Sequence, residues 1–279
     1  MPKQKFYLLN IILLCITTIV GYSQLNRCGT VLTDKQRLYE QEFTDSVSSI
    51  YEVNRSIDVT LFIVKDANGE INLDLPTLNA AFSDLNNAFD KIKLSFRIST
   101  PNYIDNYHFD ILKKNENEAD LIAQHFVSNT INIYFVSSLF DGTDQEVCGY
   151  TYYPAENKDV ILISKSCIAE SYLIEQLGHF FNLYHTHEKG FAEELVNKSN
   201  CSTAGDLCCD TPADPNLSGK VNSNCQYSSL VKDKNNDYYS PSVFNYMSFS
   251  PDDCNKCFFS NDQYLRIINC LLKTKSYLW

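Results

Sequence analysis

The stretch from Leu173 to Glu188, Leu-Ile-Glu-Gln-Leu-Gly-His-Phe-Phe-Asn-Leu-Tyr-His-Thr-His-Glu, constrains this chain more than any other. It reads as an apolar helix from about Glu170 to Leu183, followed by His185. Glu175 and His179 are four residues apart, so they share one face of that helix. Asn182 marks a turn, because Asn is the usual second choice after Gly for the left-handed conformation that ends helices. Any fold for this chain has to find a buried place for this element.

The segments before it supply a scaffold. Ile57 to Val64 is β-branched and mostly apolar, which predicts a strand. Pro76 opens a helix to about Lys91, with Leu78, Phe82, Leu85 and Phe89 at helical spacing on one buried face. Strands are expected at Leu94–Ile98, Ile131–Val136 and Val160–Ile163, an edge strand near Cys148–Tyr153, and a short helix over Glu118–Val127. A strand-helix-strand-helix-strand series of this kind suggests a mixed sheet with helices packed on it. Residues 189–242 have few apolar runs and many Asp, Asn, Cys, Ser and Pro, which predicts an irregular, stapled region. Ser260-x-x-Gln263 is a capping box that opens a last helix.

The N-terminus reads as an export signal. Lys3 and Lys5 precede an apolar run from Phe6 to Val20, and Gly21 and Ser23 flank a cut before Gln24. The run is too short and wrongly flanked for a membrane anchor. An exported chain with ten cysteines besides Cys15 is expected to form disulfides, including Cys148 with Cys167. A net charge of −11 argues against nucleic acid as a partner. Asp206, Asp210 and Thr211 lie in the acidic loop, where a calcium site and a merely solvated loop are both open readings. For Cys28, in Arg27-Cys28-Gly29-Thr30, a disulfide and a metal-facing thiolate are likewise both open.

Four pieces carry a family resemblance. They are Leu177-Gly178-His179-Phe180-Phe181 with Leu183-Tyr184-His185-Thr186, Gly205-Asp206-Leu207-Cys208-Cys209-Asp210-Thr211-Pro212, Asn245-Tyr246-Met247, and Arg27-Cys28-Gly29-Thr30. In this order and spacing the chain resembles the pappalysin family of metzincin zinc metallopeptidases, the ulilysin-like enzymes. The resemblance implies an α+β, metzincin-like fold. A twisted mixed five-stranded sheet with a backing helix and an active-site helix leads into an irregular, disulfide-stapled lower subdomain with a Met-turn at Met247 and a C-terminal helix. It also implies a signal peptide at 1–23, a pro-segment-like leader at 24–55 with Cys28 as a cysteine switch, and a catalytic-type domain at 56–279. The upper subdomain would span about 56–185 and the lower about 186–279.

The family motif is H-E-x-x-H-x-x-G-x-x-H. Carried over, the zinc ligands here are Glu175, His179 and His185, the general base is Gln176, and the Gly is Asn182. A carboxylate is a legitimate zinc ligand but has a different reach and adds a negative charge, so a weakened zinc site and histidines satisfied by hydrogen bonds without metal are both open readings. A carboxamide cannot accept a proton at neutral pH, so Gln176 removes a step typically worth ~10²–10⁴-fold. Phe249 stands where relatives often carry a Tyr donor. The expectation is a secreted pseudo-protease that binds a polypeptide. The alternative is an active zinc metalloendopeptidase with a Glu/His/His site, in which Glu188 or Glu175 serves as base and Asp252 or Asp253 favours basic side chains.

Overall fold

Strand β2 (Arg55–Val64) shows how the sequence builds the core. Ile57, Val59, Leu61 and Ile63 face one apolar cluster, while Phe62 and Val64 face another on the opposite side of the sheet. A strand buried on both faces reads as a continuous apolar run, as this one does. In the computed structural model, residues 26–43, 45–169 and 171–278 are described. The expected signal peptide, 1–23, lies outside them.

In chain order the elements are β1 (Asn26–Cys28), α1 (Asp34–Glu42), β2, α2 (Leu75–Phe89), β3 (Leu94–Ile98), β4 (Asn102–Ile104) and β5 (Ile111–Lys113). They continue with α3 (Glu118–His125), β6 (Ile131–Val136), β7 (Ser138–Phe140), β8 (Val147–Thr151), β9 (Val160–Ser164), α4 (Tyr172–Phe180) and α5 (Asn261–Lys273). The main sheet runs β1-β8-β9-β6-β2-β3, with β4 also paired to β2. Its pairs are parallel except β8 with β9, so the mixed α+β architecture is as expected. The five expected strands form the body of the sheet. The N-terminal β1 and the short β4 bring it to seven. β5 and β7 make a separate two-stranded sheet.

α2, α4 and α5 cover one face of the sheet through Leu78, Phe82, Phe89, Leu177, Phe180 and Ile268. α3 and β5 cover the other through Leu121 and Leu112. α2 begins one residue before Pro76, where the Asp74 side chain accepts from the Thr77 N–H. The capping box at Ser260 and Gln263 is present at the start of α5. α1 is shorter than the weak helical pattern from Lys35 to Tyr51 implies, and its Thr33 cap sets the start.

Disulfides join Cys148 to Cys167, Cys201 to Cys209 and Cys225 to Cys254. The expectation of disulfides fails for Cys208, Cys257 and Cys270, while for Cys28, where both readings were open, the thiol is free. Cys28, Cys208, Cys257 and Cys270 are free among the described residues. Cys208 and Cys270 are buried, and Cys28 is taken up by the cluster described next. Cys257 does not close on its near neighbour Cys254, which pairs instead with a cysteine 29 residues away.

Candidate metal centre

α4 is buried along its whole length. Its end is a Schellman motif, in which the Leu183 N–H donates to Gly178 O at 2.9 Å and the Asn182 N–H donates to His179 O at 3.0 Å. Asn182 has φ of 72°, the left-handed conformation expected of it. The reversal returns His185 to the helix face that carries Glu175 and His179. Met247 packs against α4 at Gly178, where a Cβ would fall 2.6 Å from its sulfur. The Met247 carbonyl accepts from the Thr186 N–H at 3.0 Å and so pins the returning loop.

The tertiary fold adds a fourth group. Sγ of Cys28, Oε1 of Glu175 and Nε2 of His179 and His185 converge, with ligand atoms of all four residues within 4.8 Å of one another. Sγ of Cys28 is 3.5 Å from His179 Nε2, the two Nε2 atoms are 3.0 Å apart, and His185 Nε2 is 3.3 Å from Glu175 Oε1. Neighbouring ligands of a tetrahedral zinc are separated by about 3.3–3.8 Å, given bonds of ~2.0–2.3 Å. Two of the three spacings fall in that range and the Nε2 pair is slightly tighter, so the donor set of one thiol, one carboxylate and two imidazoles suits the metal that the sequence resemblance implies. His179 Nδ1 lies 2.8 Å from Leu183 O, which leaves its Nε2 lone pair facing the cluster.

The electrostatics agree with a site built for charge. Burial opposes the Glu175 carboxylate, but Lys256, His185 and His179 outweigh burial and hold its pKa well below the usual range. Burial pushes His179 below the ordinary imidazole value. Burial and His179 also work against a proton on His185, yet Cys28 and Glu175 prevail and raise it. Lys256 was not legible as a site residue. Its Nζ is 3.3 Å from Glu175 Oε2, with the two side chains 2% and 0% exposed.

Gln176 points at the leader. Its Oε1 accepts from Thr30 Oγ1 at 2.8 Å and its Nε2 donates to Cys28 Sγ at 3.2 Å. Phe249 stacks edge-on against His185 with ring centroids 4.6 Å apart, and offers no donor there. Tyr153, a second residue the sequence did not mark, lies with its hydroxyl 3.3 Å from His179 Nδ1. Glu188 accepts from the N–H groups of Lys189 and Gly190, and Asp252 accepts from the Tyr172 hydroxyl at 3.2 Å.

The leader is tied across the same region. β1 pairs with the sheet edge at β8. The buried Gln36 of α1 donates to Asn182 Oδ1 at 2.7 Å and to the Tyr184 hydroxyl at 2.6 Å. Glu40 accepts from Asn182 Nδ2, from the Tyr184 hydroxyl and from Arg266 Nη2 at 2.9 Å. Gln176 and Asn182 thus both contact the N-terminal segment directly, through Cys28, Thr30, Gln36 and Glu40.

The expected calcium residues divide. Asp206 is buried, and its Oδ1 accepts from the Cys208 N–H and from Thr211 Oγ1 at 2.9 Å. Asp210 does not join them, because its carboxylate accepts from the Asp262 N–H at the start of α5. Glu194, which the sequence did not single out, is the acidic side chain that feels Asp206. Both carboxylate oxygens of Glu194, and Oδ2 of Asp206, are buried without a hydrogen-bond partner among the described residues. Burial and Asp206 push Glu194 up to about 8, and burial pushes Asp206 up to about 7. Such a pair of oxygen-rich, unpartnered groups suits a hard cation.

Among the described residues no helix is long and apolar enough to cross a membrane. No family model matches the chain. It is 27% identical over 252 residues to extracellular metalloproteases of Trichophyton verrucosum and Arthroderma benhamiae, covering 81% of this chain and 83% of each relative. Among solved structures it resembles Tannerella forsythia mature mirolysin in complex with a cleaved peptide. The TM-score is 0.56 at 16% identity, covering 79% of this chain and 91% of that one. A mutant of promirolysin from the same organism gives 0.57 at 17%, covering 90% and 96%. At these identities the structural likeness speaks for the fold alone.

Proposed function

We propose that this chain is a secreted, metallopeptidase-like protein that has lost peptide hydrolysis and works by holding polypeptide. Its similarity to extracellular metalloproteases supports a metallopeptidase ancestry and an extracellular setting, and the three disulfides fit that setting. The observation that carries the reading is Gln176. At the position of the general base it bears a carboxamide that bonds Thr30 and Cys28 of the leader. It cannot take a proton from water there. A zinc ion held by Cys28, Glu175, His179 and His185 would supply Lewis-acid chemistry. In this reading Cys28 acts as a switch thiolate and closes the position that water would need. The first polypeptide in the cleft is then the leader itself, laid along β8 as an added strand. Neither nucleic acid nor a membrane anchor has a place in it.

The full-length protein, purified free of host proteases, is expected to leave an unfolded protein substrate intact. Cleavage that a chelator abolishes would end this reading. It would favour the alternative of an active zinc endopeptidase, which the convergence of Glu175, His179 and His185 keeps open. In that alternative Glu175 is the better base candidate, because Glu188 is turned to its own backbone.

The same reading includes calcium at Glu194, Asp206 and Thr211. Calcium at about 100 times its dissociation constant would add about 2.7 kcal/mol of stability. Thermal unfolding should therefore move up by several degrees in calcium-replete against calcium-depleted buffer, and Glu194→Gln should remove most of that shift. Equal midpoints in the two buffers for the unmodified chain would exclude the site.

A further inference from the structure

Glu175 places a fully buried carboxylate in a cluster whose two histidines are buried and whose Cys28 is half-buried. A neutral imidazole at that position would need no counter-charge, but an unpaired buried carboxylate is costly. The structure supplies the counter-charge from a distant segment. Lys256, 81 residues further along the chain, is half-buried as a residue, but its side chain is 2% exposed and meets Glu175 Oε2, while Oε1 of the same carboxylate faces His185. The lysine stem reaches this point along the wall of a cavity of about 520 Å³ between α2, α4 and the loop after Met247. Asp84 and Asp252 line the same cavity. An ammonium displaced from Glu175 thus has other acidic groups within the cavity it already borders.

We infer that Lys256 is an internal cation that neutralises Glu175 when no metal is bound and competes with a divalent ion for that carboxylate. Lys256 thereby sets the metal affinity of the cluster. The inference rests on the proposal that Cys28, Glu175, His179 and His185 form a metal site. The physical reason is charge. A lysine beside a ligand carboxylate repels an incoming divalent ion and occupies the electrostatic place that ion would fill, and low-dielectric surroundings strengthen both effects. Glu175 and Lys256 therefore act as a pair of coupled changes. Together they keep the fold satisfied without metal, which a lone His-to-Glu change would not.

The test is zinc binding measured by competition with a chromogenic chelator on the full-length chain, alongside thermal unfolding with and without zinc. Lys256→Met is expected to tighten zinc by about tenfold or more. It should also lower the metal-free midpoint and enlarge the rise that zinc produces. Equal or weaker zinc binding in Lys256→Met would overturn the inference, because it would make Lys256 a support for the carboxylate rather than its competitor. Should Lys256→Met not fold without metal, Glu175→His is compared with Glu175→His/Lys256→Met, where no buried carboxylate is left unpaired. The double variant is again expected to bind zinc about tenfold more tightly or better. If none of the variants takes up zinc, the metal site itself fails and this inference with it. If all bind zinc and Lys256→Met gains nothing, only the role of Lys256 fails.

Discussion

Converting Glu175→His, Gln176→Glu and Phe249→Tyr, with Lys256→Met and Cys28→Ala, is expected to produce chelator-sensitive cleavage of an unfolded protein substrate. The rate should exceed that of the Cys28→Ala single variant by at least about 10²-fold. Each change addresses one contact. His at 175 restores a neutral ligand, and Lys256 must then go because its charge partner has left. Glu at 176 restores a proton acceptor and can still accept from the Thr30 hydroxyl, as the Gln176 Oε1 does now. Tyr at 249 returns a donor to a ring that already packs on His185. Ala at 28 removes the sulfur 3.5 Å from His179. Gln176→Glu alone should do nothing measurable, since it sets two carboxylates side by side in a buried cluster still covered by Cys28. A folded five-substitution variant that binds one zinc and remains inert would show that the cleft, and not only its chemistry, has changed.

Glu40→Ala is expected to cost about 3 kcal/mol, the loss typical of breaking one side of a buried ion pair. For a chain of this size that is roughly 6–12 °C in the unfolding midpoint. Arg266 and Glu40 are both nearly buried, at 12% and 11% side-chain exposure, and Glu40 also accepts from Tyr184 and Asn182. Removing the carboxylate leaves the guanidinium without its counter-charge and unties α1 from the turn that presents His185. Trypsin should then cut at Lys35 and Arg37 sooner than in the unmodified chain. Glu40→Ala/Arg266→Met should regain much of the loss, because no buried charge remains unpaired. If Glu40→Ala unfolds at the same temperature and resists trypsin equally, the leader is held by its β1 pairing and by Cys28 rather than through this network. Adding Glu40→Ala to the repaired variant should increase its cleavage, since the leader would lie less firmly over the cleft.

Much of the molecule was written locally. Pro76 and the spacing of Leu78, Phe82, Leu85 and Phe89 marked α2 to within a residue or two, because helix caps and periodicity act over a few neighbours. The same holds for the capping box of α5 and the left-handed turn at Asn182. Positions 175, 176, 179 and 185 lie within one turn-and-helix, so the residues on which the proposed function rests were visible in the linear order.

The partners of those positions were not. Cys28 meets His179 across 151 residues, Glu175 meets Lys256 across 81, and Glu40 meets Arg266 across 226. No periodicity or cap links such residues, and burial turns an ordinary lysine into the counter-charge of a ligand. Cysteine pairing shows the same limit, since an even count allowed five bridges and the fold closed three among the described residues. The sequence alone determined the elements and the order Glu175, Gln176, His179, Asn182 and His185 on which the proposed loss of the base rests, because each is a property of neighbouring residues. Only the tertiary structure decided what fills the gaps in the motif, because a buried charge or donor is satisfied by whatever the fold brings within about 3 Å of it.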